Sequence, residues 1–173
     1  MKKNLFFITT GLLSLFSTNS AFAQTKTKVE GVWRITEVIL TFSNTAGKDS
    51  IITVNNPQPG LFILTKSYYS LLAVRERKPR PTVEPPKDPQ NLTDAEKIAR
   101  YDSWQPFVGN SGTYEIKGSM ILRHPVVAKN VDVMTSETPE TDEFKLEDTN
   151  TLWLKPMNDS MSPHVRVKLV RVE

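Results

Sequence analysis

The chain has no cysteine among its 173 residues. That excludes disulfide bridges, thiol nucleophiles, thiolate metal sites and a lipid-modified N-terminal cysteine. Glycine is scarce and scattered, with seven in all, so no Gly-rich loop is present to cradle a phosphate. Histidine occurs only at His124 and His164; forty residues apart in a chain of this kind, they are too few to define a metal site. The motifs of the common hydrolases, G-x-S-x-G and H-E-x-x-H, are absent, and no paired-carboxylate motif replaces them. Charge of one sign is lacking too. The full chain carries 22 basic and 19 acidic residues without a Lys/Arg block, which gives little reason to expect nucleic acid or an anionic membrane as the main partner.

What is present begins with a leader. In MKKNLFFITTGLLSLFSTNSAFA, Lys2 and Lys3 precede an apolar run from Leu5 to Phe16, and Ala21-Phe22-Ala23 has the small-x-small form of a cleavage site. Residues 1–23 are therefore expected to be a signal peptide and residues 24–173 a single exported domain, periplasmic or secreted. Removing the leader takes away two lysines and no acid, so 20 basic residues face 19 acidic ones, a net charge of +1. Beyond the leader no stretch approaches the roughly 18 apolar residues that span a bilayer as a helix, so no stable membrane insertion is expected.

Strand signals dominate the rest. The run VEGVWRITEVILTF, Val29 to Phe42, alternates, although both parities carry apolar residues: Val32, Arg34, Thr36 and Val38 on one, Trp33, Ile35, Glu37 and Ile39 on the other. Asn44-Thr45-Ala46-Gly47 supplies a turn, after which Ile51 to Val54 returns as a second strand. The breaker cluster Asn55 to Gly60 is followed by LFILTKS and YYSLLAVRE. GTYEIKG, SMILRHPVVA, TDEFKLED, NTLWLKP and HVRVKLVRV add five more candidates. Between the two groups, Lys78 to Pro89 holds five prolines and must run as an extended surface loop. Next, Thr93-Asp94-Ala95-Glu96 spells a capping box, and a helix from about Asp94 to Trp104 is expected, stopped by Pro106. Eight to nine antiparallel strands with one short helix suit an all-β, up-and-down barrel with a ligand-sized interior.

A series of motifs in order resembles the bacterial lipocalin-like domain family over nearly all of residues 24–173. Val29-Glu30-Gly31-Val32-Trp33-Arg34-Ile35 is similar to the family's opening G-x-W strand, and Gln58-Pro59-Gly60-Leu61-Phe62 to its Pro-x-Gly turn and following strand. Gly112-Thr113-Tyr114-Glu115-Ile116 is similar to its G-T-Y-E strand, and Arg123-His124, Phe144-Lys145-Leu146 and Leu152-Trp153-Leu154 follow in order. Lys66-Ser67-Tyr68, where the family carries a Gly, and the long Pro-rich insert depart from its pattern. The resemblance implies an antiparallel barrel whose internal cavity binds a small hydrophobic molecule. It also implies structural roles for Gly31 and for Trp33, which would close the barrel floor beneath a basic side chain of the last strand, Arg166 or Arg171.

Six side chains are candidates for ligand contact. Because histidine is the side chain whose unperturbed pKa lies near neutrality, His124, facing inward, would bind a polar ligand group or act as a general base; the alternative is a hydrogen-bonded, half-buried histidine. Tyr101, Trp104 and Phe107 fall at the end of the helix and just beyond it, where they either form a lid over the barrel mouth or glue the helix to the wall. Tyr69 and Tyr114 complete the set. No catalytic residue, metal ligand or cofactor is assigned. The function expected is that of an exported binder of a small apolar or amphipathic ligand. The alternatives are an isomerase or cyclase using His124 and a tyrosine, and an interaction module docking a partner on the Pro-rich loop.

Overall fold

The computed structural model describes residues 28–43, 48–80, 82–157 and 163–173. The expected signal peptide and the expected turn at 44–47 lie outside these residues. Nine strands run in order: β1 (Gly31–Ser43), β2 (Asp49–Asn55), β3 (Gly60–Leu64), β4 (Tyr68–Val74), β5 (Phe107–Lys117), β6 (Met120–Ala128), β7 (Glu140–Asp148), β8 (Thr151–Pro156) and β9 (His164–Arg171). Two short helices are described, α1 (Asp94–Trp104) between β4 and β5 and α2 (Val131–Thr135) between β6 and β7.

Every pairing is antiparallel, and β9 returns to β1 along Trp33↔Arg171 to Thr41↔His164. With β2 set aside, the order β1-β3-β4-β5-β6-β7-β8-β9 thus closes into an eight-stranded barrel. β1 is long enough to serve two partners on its other edge. Gly31 to Arg34 pair with β3, and Glu37 to Ser43 pair with β2. β2 is therefore an extra strand, an arm hairpinned onto the far half of β1.

A bulge explains why β1 alternates badly. The register with β9 shifts between Ile35 and Glu37, leaving Thr36 as the additional residue. Before it, Trp33 and Ile35 share the inner face with Leu169; after it Val38, opposite Val167, takes that face. One extra residue reverses the parity of everything beyond it. A second bulge lies between β5 and β6, where Gly112 pairs Pro125 and Ser111 pairs Val127. Val126 and Val127 consequently both stand exposed on the outside. A side chain at Gly112 would meet the His124 carbonyl at 2.0 Å, so the close approach of the two strands there requires glycine.

The interior is packed at the end where β1 begins. Trp33, Phe62, Leu64, Ile121, Leu152 and Leu169 are essentially fully buried, with Tyr114 and Phe144 beside them. The helix α1 forms for the local reason written in its sequence. The Thr93 hydroxyl accepts from the Glu96 amide while the Glu96 carboxylate accepts from the Thr93 amide at 2.8 Å. The Thr93 hydroxyl, donating to the same carboxylate at 2.6 Å, and then the Thr93 amide hold the Glu96 carboxyl below its usual range. No residue of α1 is buried. Its other end is fixed by Lys129, whose ammonium donates to the carbonyls of Trp104, Gln105 and Phe107, satisfying groups the helix leaves open.

The second helix, α2, was not expected from the sequence. At five residues, and with no side-chain hydrogen bond at its Asn130 cap, it carries too little periodicity to be read.

Candidate functional site

The first residues of β5 and β7 and the last of β6 and β8 meet at one end of the barrel, opposite Trp33. They enclose a cavity of about 640 Å³ with α2 on its rim. Phe107, Val108, Val133, Pro139 and Met157 supply apolar lining, and Asn110, Arg123 and Glu140 supply polar groups. This volume falls in the range of small-molecule sites.

A polar layer separates the cavity from the packed half. Arg123 on β6 faces inward and is 4% exposed. Its Nε donates to Asp142 at 2.7 Å, its Nη1 to Asn110 Oδ1 at 3.3 Å and its Nη2 to Glu140 at 3.2 Å. Burial works against this guanidinium's charge, but the Asp142 and Glu140 carboxylates outweigh it and leave the group more firmly protonated than usual. The Tyr69 ring lies against the same guanidinium, 5.4 Å from its centre. Gly112 of β5 pairs with Tyr69 on one side and with Pro125 on the other. The Tyr69 hydroxyl is buried without a hydrogen-bond partner, and burial first, offset only in part by Arg123, pushes its pKa up to about 12.

The candidate ligand contacts therefore separate. Phe107 lines the cavity. Trp104 packs edge-on against it, with ring centroids 5.3 Å apart, and Tyr101 is exposed, in contact with Gln105 on the rim. Tyr69 belongs to the polar layer. Tyr114 sits in the packed half, where its hydroxyl donates to the Thr65 carbonyl at 2.7 Å; burial, then the Glu30 carboxylate, pushes its pKa to about 12.

His124 does not face the interior. It projects from the outer wall toward Glu115 at 3.4 Å, with its side chain about half exposed. The inward residues of β6 are Ile121 and Arg123, the opposite parity. The residue the sequence reading passed over is thus Arg123, the immediate neighbour of the histidine. The signal available was parity: Arg123 alternates with Ile121, and an arginine on an apolar face has to be paired.

At the closed end Arg171 lies over Trp33, its Cζ 4.1 Å from the ring centroid. Arg166, the other candidate, lies instead over Trp153 on the outside of the barrel. Gly31 passes directly beneath Arg171 at a φ of +143°, and a Cβ there would meet the guanidinium at 2.3 Å. The Trp33 indole donates to the Val29 carbonyl at 2.8 Å.

Among the described residues no group of His, Asp and Glu is placed to hold a metal ion, and no helix is long and apolar enough to cross a membrane. No family model and no curated protein matches the chain. Among solved structures, one described as a redesigned beta barrel aligns with 86% of this chain and 95% of its own length, at 9% identity and a TM-score of 0.38. The barrel assignment rests on the strand pairing itself.

Proposed function

We propose that this chain is an exported, lipocalin-like binding protein that holds one small apolar or amphipathic molecule in the cavity at its barrel mouth. The observation that carries the reading is the division of the interior. One half is filled by side chains, and the other is a cavity lined by both apolar and hydrogen-bonding groups, the composition that fixes a small ligand's position and orientation. The basic, apolar and small-residue order of residues 1–23 supports export. The isomerase or cyclase alternative loses ground because its histidine lies outside the barrel.

The test is native mass spectrometry of protein recovered from its own cell envelope, together with N-terminal sequencing. A retained small molecule that is released on denaturation, on a chain beginning at Gln24, is the expected result. A chain still carrying Met1 overturns export. An empty protein that also fails to take up N-phenyl-1-naphthylamine, an uncharged fluorescent probe, overturns binding.

A further inference from the structure

The polar layer beneath the cavity has a composition that selects among ligands. Arg123 contributes one positive charge, and Asp142 and Glu140 contribute two negative ones. All three guanidinium nitrogens already donate, to Asp142, Asn110 and Glu140. The deep end of the cavity therefore holds no uncompensated positive charge. The two other cations that line the cavity, Arg75 and Lys129, lie at its rim, and the ammonium of Lys129 is occupied by three backbone carbonyls.

Hydrogen-bonding capacity remains at the floor nonetheless. Asn110 uses its Oδ1 to accept from Arg123, which orients its amide group as a donor. Glu140 is the opposite case, an acceptor whose side chain is 42% exposed and lines the same cavity. A donor and an acceptor on one floor match a group that both accepts and donates. A carboxylate offers only acceptors and would face Glu140 as a like charge.

We infer that the floor formed by Asn110, Arg123 and Glu140 is a seat for an uncharged hydroxyl group, so that the ligand class is a neutral amphiphilic alcohol rather than a fatty acid. The inference rests on the mouth cavity being the binding site. In the bound state the ligand hydroxyl donates to the Glu140 carboxylate and accepts from the Asn110 amide, while Asp142 keeps Arg123 in place beneath. Its apolar part lies against Phe107, Val133 and Met157.

The experiment is displacement of N-phenyl-1-naphthylamine by 1-decanol and by decanoate at neutral pH, on the wild type and on Glu140→Gln. The amide keeps the size of the side chain and removes its charge. Any general cost of burying a carboxylate is the same in both proteins, so the change in the ratio isolates Glu140. Decanol should compete at least about tenfold better than decanoate on the wild type, and the variant should narrow that gap to about threefold or less. Asn110→Ala provides a second reading and should weaken decanol about tenfold while the probe still binds. Equal competition by the two compounds on the wild type, or a gap that Glu140→Gln leaves unchanged, overturns the hydroxyl seat while leaving the cavity as a binding site. Failure of the wild type to bind the probe or either competitor overturns the binding reading itself, and the seat with it.

Discussion

The Arg171 guanidinium covers the Trp33 ring at 4.1 Å and at the same time donates to the carbonyls of Lys28, Glu30 and Thr149. One side chain thus seals the closed end of the barrel and ties the last strand to the segment leading into the first. Trp33→Ala should cost about 3–5 kcal/mol, the range for removing a large core aromatic. Arg171→Lys should lose at least about 1.5 kcal/mol, because an ammonium cannot reproduce the planar fork that reaches several acceptors. Denaturant titration of both variants measures these losses, and a Trp33→Ala cost under about 1 kcal/mol would remove it from the floor.

The buried ion pair makes a different prediction. Arg123→Leu leaves Asp142 as an unpaired buried carboxylate and should destabilise by about 3–5 kcal/mol. Adding Asp142→Leu removes the stranded charge, so the double variant should be more stable than Arg123→Leu alone. Additive losses in chemical denaturation would mean that the two residues do not act as a pair.

Alkaline pH should unfold the protein through two tyrosines. Tyr69 and Tyr114 hold their protons to about pH 12 in the folded chain against an ordinary value of 10.0. The folded state therefore binds these protons more tightly than the unfolded state does, so their effect on stability is constant below pH 10 and unfavourable as pH rises from 10 toward 12. Tyr69→Phe should flatten that loss. Thermal melts across this interval, with phenolate absorbance followed alongside, check it; a melting temperature that does not fall in this interval for the wild type would contradict the burial of the two hydroxyls.

His124→Gln should change stability by no more than about 0.5 kcal/mol, as is usual for exposed positions, and should leave probe affinity unchanged. A loss of binding would place the ligand on the outer wall beside Glu115.

Thr93→Ala removes half of the capping box and should weaken α1 by about 0.5–2 kcal/mol. Because no residue of that helix is buried, the damage should stay local. Hydrogen exchange should quicken across residues 94–104 while the barrel strands keep their protection.

The features written in short-range chemistry were legible in the sequence. Thr93 and Glu96 are three residues apart, and their reciprocal bonds need nothing from the rest of the molecule. Each of the nine strands lies where alternation and turn residues put it, although β5 begins at Phe107 rather than at Gly112. That Gly31, Trp33 and a basic residue of the last strand belong together was suggested by resemblance, but choosing Arg171 over Arg166 required the register of β9 against β1.

Tertiary structure alone decided which way the decisive side chains point. A strand's sequence states only that neighbours face opposite sides; it does not say which side is inside, and a single bulge at Thr36 or Val126 reverses the answer beyond it. Closure of the barrel turned Arg123 inward and His124 outward. Pairing of β6 with its two neighbours brought Asn110 of β5 and Glu140 and Asp142 of β7 onto one guanidinium. The alternating pattern and the turns are local properties of the polypeptide, and the sequence determines them by itself. The cavity and its polar floor are contacts between side chains of the consecutive strands β5 to β8, and they exist only once those strands have paired in register.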